Sequence, residues 1–275
     1  MKVVTEASER QVRLGQWMTP MWVADELVSR HFHDLDFRDI VVEPSCGTGS
    51  FLKAIPRHVP AIGVEIDPEL ADVARAESGR EIITGDFRSV PIPGAPTVVI
   101  GNPPFQMELI TQFLQRAHSM LREDGRVGFI LPCYAFQTAT RVTEYLRLWS
   151  MSVEMIPRSI YPKLREPLAF AIFSKDERRV LVGLALYEQA ADVHELSPEY
   201  RDIIAGTRGS LWRAVCQRAL EKLGGRADLQ EIYRELEQGR PSRTRFWREK
   251  IRQTMRVYSD TFRAISPGLF ELEGR

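Results

Sequence analysis

Long apolar runs are missing from this sequence of 275 residues, in which no stretch approaches the ~20 apolar residues of a membrane-spanning helix. The first ten residues, MKVVTEASER, also lack the apolar region of a signal peptide. The hydrophobic content of 44% and the charged content of 27% are those of an ordinary globular protein. We therefore expect a cytoplasmic protein with no membrane partner.

Cysteine is scarce: Cys46, Cys133 and Cys216 stand singly, and none belongs to a Cys-x-x-Cys pair. The five histidines show no spacing typical of metal ligands either. These absences argue against a disulfide framework and against structural zinc. The sequence predicts a reduced protein without a metal site.

An overall excess of charge is also lacking, since 37 Lys and Arg balance 37 Asp and Glu. The balance hides an asymmetry, because residues 205–275 carry a net charge of +6 and residues 1–204 a net charge of −6. A basic tail on an acidic body suggests a negatively charged partner for the tail.

What the sequence does contain, through its first two-thirds, is an alternation of short apolar runs with helical patterns. This alternation is typical of a mostly parallel sheet with helices on both faces. We predict strands at 39–44, 61–67, 81–86, 97–102, 126–132, 151–157 and 168–175, and one more within 180–188. The helices between them are predicted from about Ser50, at 68–78, at 107–121 and at 138–148.

The pattern changes near residues 190–209, which are polar, contain glycine and resemble a connection. Helices are predicted beyond them at 210–223, 227–238 and 243–257, followed by a hairpin that turns at Ser266-Pro267-Gly268. This order of elements predicts a winged helix-turn-helix. We therefore expect a first domain over 1–195 and a small second domain over 196–275.

The stretch TVVIGNPPF (97–105) is an apolar run that stops at Asn-Pro-Pro-Phe. Two prolines cannot continue a strand, because neither has an N–H to donate. We expect the strand to finish at Asn102, with its side chain at the edge where open α/β sheets bind ligands. The alternative is an ordinary strand-ending turn, for which Asn and Pro are common residues.

A second motif, EPSCGTGSF (43–51), joins the first predicted strand to the first predicted helix. Gly47 and Gly49 permit a tight turn that a ligand can approach closely. The third glycine of the dinucleotide fingerprint is replaced by Leu52, which argues against pyrophosphate binding.

Acidic residues stand at the ends of the neighbouring strands. Glu65 lies 18 residues after Gly47, where a carboxylate can accept the hydroxyls of a ribose. Asp86 can hold an adenine amino group beside the ring of Phe87, and Glu43 is placed to act on a cationic ligand. Each residue alone can be a solubilising strand-end group, but their shared edge predicts a binding site.

In this order and spacing, EPSCGTGSF, GVEID, GDF and NPPF resemble the S-adenosylmethionine-dependent methyltransferases that modify an exocyclic amine. The resemblance is strongest to the gamma class of adenine-N6 DNA methyltransferases. The segment GQWMTP (15–20) is similar to one that opens several of these enzymes, so the resemblance covers about residues 15–175. It implies a Rossmann-like methyltransferase fold whose mostly parallel sheet has seven strands, the last of them antiparallel.

The resemblance also implies roles for individual residues. The catalytic motif is Asn102, Pro103, Pro104 and Phe105. S-adenosyl-L-methionine, the implied cofactor, would be bound by Gln16, Trp17, Thr19, Pro20, Glu43, Ser45, Gly47, Gly49, Glu65, Ile66, Asp86 and Phe87. We further expect Thr19 to cap a helix that begins at Pro20, with its N-terminus near the cofactor carboxylate.

The predicted helix 243–257 separates its side chains into two stripes. Trp247, Ile251, Met255 and Tyr258 form an apolar stripe, while Arg245, Arg248, Arg252 and Arg256 form a second stripe that contains no acid. A solvated helix face is the ordinary interpretation of such arginines. On the third helix of a winged-helix pattern they indicate DNA binding.

Together these features predict a site-specific DNA adenine-N6 methyltransferase that acts on a flipped adenine in double-stranded DNA. A cognate restriction endonuclease is a further candidate partner. One alternative is an RNA adenine or protein glutamine-amide methyltransferase with the same site. Another is a non-catalytic DNA-binding protein that retains the fold.

Overall fold

The computed structural model describes residues 17–161, 164–176, 179–185, 187, 190, 196–206, 210–237, 239 and 245–273. The chain divides into two compact units, an N-terminal unit (1–185) and a C-terminal unit (186–275). This division falls ten residues before the predicted domain boundary at 195/196. Each unit is described by itself.

The N-terminal unit is built on an eight-stranded sheet in the order β3-β2-β1-β4-β5-β7-β6-β8. The strands are β1 (Val41–Pro44), β2 (Ala61–Glu65), β3 (Glu81–Thr84), β4 (Val98–Gly101), β5 (Arg126–Pro132), β6 (Ser150–Ile156), β7 (Leu168–Ser174) and β8 (Leu181–Val182). Strand β7 runs antiparallel to both of its neighbours, and the other pairings are parallel. The predicted sheet with an antiparallel seventh strand is confirmed, and the further strand predicted within 180–188 is the short β8.

The helices of this unit are α1 (Met21–His31), α2 (Ser50–Ala54), α3 (Pro68–Ser78), α4 (Met107–Met120) and α5 (Ala139–Leu146). Their limits follow from local chemistry, as α3 shows. The Asp67 side chain accepts the N–H of Glu69, Pro68 opens the helix, and Gly79 ends it in a left-handed conformation.

The predicted start of α1 is wrong by one residue. The helix begins at Met21, Pro20 occupies the N-cap position, and no side chain caps it. The Pro20 carbonyl accepts the N–H groups of Val23 and Ala24, which closes the first turn without a polar side chain. The Thr19 hydroxyl is therefore available for other contacts.

The order of the strands positions the site. Strand β1 pairs with β2 on one side and with β4 on the other, so the connections leave β1 and β4 in opposite directions. A crevice forms outside the carboxyl ends of strands at such a reversal. The chain approaches closely there, because a Cβ atom on Gly101 would lie 3.4 Å from the Pro44 carbonyl oxygen.

The C-terminal unit contains α6 (Pro198–Gly206), α7 (Leu211–Lys222), β9 (Arg226–Asp228), α8 (Leu229–Leu236), α9 (Trp247–Val257), β10 (Phe262–Ser266) and β11 (Leu269–Leu272). Its strands form an antiparallel sheet in the order β10-β11-β9. The predicted hairpin at Ser266-Pro267-Gly268 is confirmed. The apolar stripe of α9 is confirmed as well, since Trp247, Ile251 and Met255 are buried.

Two predictions for this unit are corrected. Residues 198–206, expected in a connection, form helix α6. The helix expected from residue 227 begins at Leu229, because residues 226–228 pair with β11 and Asp228 closes a capping box with Glu231. The first residues of the helix predicted from 243 lie outside the described residues, and α9 begins at Trp247.

Membrane insertion was assessed for the helices that the structure describes. None of them is both long enough and apolar enough to cross a bilayer.

A single arginine ties the end of α3 to the connection between α2 and β2. The Arg80 guanidinium donates to the backbone carbonyls of Ile55 at 2.8 Å, Pro56 at 2.9 Å and Val59 at 2.8 Å. We expect Arg80→Met to lower the free energy of unfolding by about 2 kcal/mol, because several hydrogen bonds from a charged donor are lost. Denaturant unfolding of both proteins measures the difference.

Arg80→Lys is the matched control. Lysine keeps the positive charge but presents one nitrogen, so it should recover only part of the loss. Equal unfolding midpoints for wild type and Arg80→Met would show that these contacts do not stabilise the fold.

Candidate functional site

A cleft of about 210 Å³ lies at the carboxyl ends of β1, β2 and β4 and beside the segment after β3. Its lining includes most of the residues predicted for the site, namely Trp17, Thr19, Glu43, Ser45, Gly47, Glu65, Ile66, Asp86, Phe87, Asn102 and Pro104. Predicted residues outside this lining are Pro20, Gly49, Pro103 and Phe105. Gln16 lies outside the described residues.

The glycine turn after β1 has the conformation that its sequence requires. Gly47 and Gly49 have φ angles of +54° and +76°, in the left-handed region, and Ser45 adopts +50°. A Cβ atom on Gly47 would lie 3.0 Å from the Met18 sulfur. The left-handed conformation therefore favours glycine at position 47, and a larger residue would also require the Met18 side chain to shift.

Glu65 holds this turn in place. One of its carboxylate oxygens accepts the N–H of Gly47 at 2.8 Å, and the other accepts the N–H of Asp67 at 3.0 Å. Burial raises the pKa of Glu65 despite these contacts. The predicted contact with a ribose would use the lone pairs that the backbone leaves free.

Glu43 is buried within β1, and its carboxylate accepts the N–H of Leu52 at 2.9 Å. Burial raises its pKa well above the ordinary value, and the nearby Glu65 charge adds to this rise. A cationic group in the cleft would favour the ionised form of Glu43. The expected influence of Glu43 on a cationic ligand stays a prediction.

Asp86 has a partner that the sequence analysis missed. The Arg88 guanidinium donates to both carboxylate oxygens of Asp86, from Nε at 3.0 Å and from Nη2 at 2.5 Å. This hydrogen bonding lowers the pKa of Asp86. The pair is bidentate, so Arg88 orients the carboxylate at the cleft. An Asp and an Arg two positions apart offer only a weak sequence signal.

Phe87 is buried, and its ring packs 5.0 Å from that of Phe113.

Asn102 follows β4, which ends one residue earlier than predicted, at Gly101. The Asn102 Nδ2 donates to the Trp17 carbonyl oxygen at 2.6 Å and to the Thr19 Oγ1 at 3.3 Å. A carbonyl can only accept, so the amide nitrogen must face Trp17 and the amide oxygen must face the other way.

The amide oxygen that results is unusual. Asn102 Oδ1 is buried and has no hydrogen-bond partner within the described parts of the chain. Buried polar atoms nearly always have a partner, and an exception calls for an explanation such as a missing ligand. Asn102 therefore presents a fixed, unsatisfied acceptor to whatever donor enters the site.

Two tyrosines that the sequence analysis did not single out support this region. The Tyr161 hydroxyl lies 3.4 Å from Thr19 Oγ1, and the Tyr134 hydroxyl donates to the Phe105 carbonyl oxygen. Pro103 is buried, and Phe105 is half-buried against the core. Neither tyrosine lies in a recognisable motif. Their contacts join residues 142 and 29 positions apart in the sequence, so no local pattern reveals them.

The four arginines predicted to contact DNA are exposed in the C-terminal unit. Arg245 precedes α9, with its guanidinium 4.7 Å from the centre of the Phe246 ring. Arg248 lies over the rings of Tyr233 and Trp247, and Arg252 pairs with Glu249. The expectation that no acid accompanies the stripe is therefore corrected, because one turn of helix brings Glu249 beside Arg252.

Comparisons with known proteins place this geometry among methyltransferases. The type II methyltransferase M.CvrRI of Paramecium bursaria Chlorella virus XZ-6E is 37% identical over 94 residues, which are 33% of this chain and 24% of that protein. The modification methylase CviBIII of Paramecium bursaria Chlorella virus NC1A is 28% identical over 153 residues, 46% of this chain and 40% of that one. The chain thus matches less than half the length of these relatives. No protein-family model matches the sequence.

Solved structures show the fold. A class I S-adenosylmethionine-dependent methyltransferase from Listeria monocytogenes superposes with a TM-score of 0.50 and 16% identity, covering 62% of this chain and 67% of that one. The M protein of the type I restriction enzyme EcoKI gives a TM-score of 0.50 at 18% identity, over 58% and 44% of the two chains. The N-terminal unit has the class I methyltransferase fold, and the likenesses support S-adenosylmethionine as the cofactor.

The buried carboxyl of Glu43 generates a prediction about pH. Because its pKa is raised, the folded chain keeps this proton to a higher pH than the unfolded chain does. The contribution of Glu43 to stability is therefore complete below the ordinary glutamate pKa and is lost as the pH rises toward the raised value. Glu43→Gln keeps an acceptor for Leu52 and cannot ionise. Over a pH range that begins at the ordinary glutamate pKa, its free energy of unfolding should therefore rise relative to that of wild type as the pH increases.

Unfolding curves of the cofactor-free proteins across this pH range measure the difference. Glu65→Gln is a companion variant: it loses one of two backbone hydrogen bonds and so starts from a lower stability, and because the Glu65 pKa is also raised it too should gain on wild type as the pH increases. Curves for wild type and Glu43→Gln that stay parallel would contradict the assignment of a raised pKa to Glu43.

Proposed function

With a class I methyltransferase fold as the premise, we propose that the chain is a site-specific DNA methyltransferase that methylates the N6 amine of adenine. The observation that carries the proposal is the fixed amide of Asn102, whose buried Oδ1 lacks a partner among the described residues. An exocyclic amine supplies the N–H donor that this oxygen lacks.

The chemistry of the amine explains why such an acceptor is useful. The lone pair of the adenine amine is delocalised into the ring, so the nitrogen is a poor nucleophile. Asn102 Oδ1 and the Pro103 carbonyl would accept its two hydrogens and return electron density to the nitrogen. Because the Asn102 amide is already oriented, this stabilisation requires no reorganisation at the moment of reaction.

The cleft offers groups that suit S-adenosylmethionine. The cofactor, when bound, supplies an electrophilic methyl group on a positively charged sulfur. Glu43 would offset positive charge, Glu65 would accept ribose hydroxyls, and Asp86 would accept an adenine amino group beside Phe87. The conformation of the turn at Gly47 leaves the backbone open to close approach.

The target base would have to leave the DNA stack to reach Asn102, as it does in enzymes that modify a base. Phe105 is the aromatic residue that we assign to stack on this base. Its ring is half-buried, and the hydrogen bond from Tyr134 fixes its backbone. The prolines limit the chain between Asn102 and Phe105 to few conformations.

The C-terminal unit favours DNA as the substrate. Its order α7-β9-α8-α9-β10-β11, with an antiparallel sheet, supports assignment as a winged helix-turn-helix, in which α9 would enter the major groove. The exposed arginines near α9 would then contact phosphates or bases. The names of the two viral relatives support DNA modification, and a cognate restriction endonuclease remains a candidate partner.

The alternatives are distinguished by one experiment. The protein is incubated with labelled S-adenosylmethionine and, separately, with plasmid DNA, total RNA or cell lysate, and the modified nucleoside is identified. N6-methyladenine in DNA is the expected product. Label in RNA or in protein glutamine would favour the RNA or protein-amide alternative, and absence of all label would favour a non-catalytic DNA-binding protein.

Asn102→Ala tests the acceptor directly. The variant removes the amide oxygen, so turnover should fall by roughly 10²- to 10³-fold while cofactor affinity stays near that of wild type. Single-turnover methylation and cofactor calorimetry measure the two quantities.

Thr19→Val is a graded companion, because it removes only the weaker of the two contacts to the Asn102 nitrogen. Its turnover should lie between those of wild type and Asn102→Ala. Turnover of Asn102→Ala equal to that of wild type would eliminate the proposed mechanism.

The DNA assignment of the C-terminal unit is tested by changing Arg245 and Arg248 singly to Ala. A plot of the logarithm of DNA affinity against the logarithm of salt concentration has a slope that reports the number of phosphate contacts. Each phosphate contact that is lost should reduce the magnitude of this slope by about 1. A lost base contact should instead weaken binding by roughly tenfold and relax sequence preference. Duplex affinity at several salt concentrations separates these outcomes.

Arg252 offers an internal comparison, since Glu249 already pairs with it. Arg252→Ala should change affinity less than the change at Arg248. Unchanged affinity and slope at all three positions would remove the structural support for DNA contact by this helix.

A further inference from the structure

The carboxyl edge of the sheet continues beyond the cleft, on the side of β5, β6 and β7. Strand β4 pairs with β5 through Gly101 and Phe129, which places this edge beside Asn102. Leu168 at the start of β7 pairs with both Pro132 and Ile156, the last residues of β5 and β6. The segments that follow β5 and β6 and the segment that precedes β7 therefore meet at one place.

Each of these segments contributes an arginine: Arg141 in α5, Arg158 after β6 and Arg165 before β7. We call these residues the arginine rim. Arg158 and Arg165 are exposed, and Arg141 is half-buried. None of the guanidinium groups forms an ion pair within the described parts of the chain.

The rim is held by backbone carbonyls rather than by acids. The Arg158 Nη2 donates to the Arg165 carbonyl at 3.0 Å, and the Arg141 Nη1 donates to the Tyr134 carbonyl at 3.2 Å. A guanidinium has five N–H donors, so most remain available in both residues. These carbonyls orient the guanidinium groups without neutralising them.

Short connections join the rim to the catalytic motif. The Tyr134 hydroxyl donates to the Phe105 carbonyl, and the Cys133 N–H donates to the Pro167 carbonyl at 2.8 Å. Tyr161, in the segment that carries Arg158, reaches Thr19, which itself contacts Asn102. The rim thus borders the region where a target base would enter.

The charge of the rim is notable because the N-terminal unit (1–185) carries a net charge of −2, from 21 Lys and Arg against 23 Asp and Glu. Glu166 lies beside Arg165 in the same segment and is exposed. Glu144 lies one turn after Arg141 in α5 and is exposed as well. Three arginines against these two acids leave a local positive excess on a unit whose net charge is negative. Guanidinium groups that are oriented and not neutralised match the geometry of phosphate oxygens.

From this arrangement we infer that the arginine rim binds the phosphodiester backbone next to the target base, independently of the C-terminal unit. The inference rests on the proposed function, since DNA is taken as the substrate. Contact here would hold the strand on either side of an extruded nucleotide. The rim would therefore act in the N-terminal unit itself, where the net charge gives no hint of a polyanion.

The test uses the full chain with Arg158→Ala and Arg165→Ala combined, and duplex DNA as the probe. The salt dependence of DNA affinity should fall by about 1–2 in slope, because about 0.9 is lost for each phosphate contact. Affinity at low salt should fall by roughly tenfold or more, since contacts of this kind account for most non-specific binding. Cofactor affinity and the melting temperature should not change. Arg158→Lys combined with Arg165→Lys keeps the charge and should restore most of the slope.

Arg147→Ala is the matched control. Arg147 is an exposed arginine of the same unit that follows α5 and precedes β6, at the opposite edge of the sheet. Its removal takes away one positive charge, half of what the double variant loses, and should leave the slope near that of wild type.

Three results would overturn the inference, and they are distinguishable. A wild-type slope in the double alanine variant, with wild-type protein methylating DNA, would refute the rim and leave the proposed function intact. A wild-type chain that neither binds nor methylates DNA would refute the proposed function and the rim together. A loss no greater than twice that of Arg147→Ala, which removes half as much charge, would show a general effect of charge and would also refute the rim.

Discussion

The hydrogen bonds from the Asn102 amide to the segment before α1 are the interaction on which the site depends. They join the end of β4 to Trp17 and Thr19, which lie 85 and 83 positions earlier in the chain. Because the Trp17 carbonyl can only accept a hydrogen bond, it fixes the direction of the amide and leaves Oδ1 on the other side, where we propose that the target amine binds. Without this contact the amide could rotate, and the acceptor would not be fixed.

The carboxylates around the cleft are also oriented by hydrogen bonds, but their partners differ. Glu65 uses both oxygens to hold the backbone around the glycine turn, whereas Asp86 is oriented by a single arginine. Their pKa values move in opposite directions, since burial dominates at Glu65 and the Arg88 hydrogen bond dominates at Asp86. One cleft therefore contains a carboxylate that is readily ionised and others for which ionisation is costly.

The arginines near α9 and the arginine rim would bind different parts of the substrate. Those near α9 belong to the C-terminal unit and would bind duplex DNA. The rim would act beside the catalytic motif, on the strand that carries the target base. Net charge averages over a whole unit, so it conceals a local group such as the rim within an acidic body.

The sequence by itself determined where most strands lie along the chain, the glycine turn and the Asn-Pro-Pro-Phe motif that ends β4. These features rest on local rules: the hydrophobic period, the left-handed conformations of glycine and the missing N–H of proline. Only the tertiary structure revealed the contact of Thr19 with Asn102, the hydrogen bonds from Arg88 to Asp86, the contacts of Tyr134 and Tyr161, and the position of the arginine rim. Each of these depends on which side chains meet after the sheet has formed, and a polar contact between distant segments leaves no periodic trace in the sequence. Helix α6 belongs with them, because its polar sequence resembles a connection until the core of the C-terminal unit buries Tyr200.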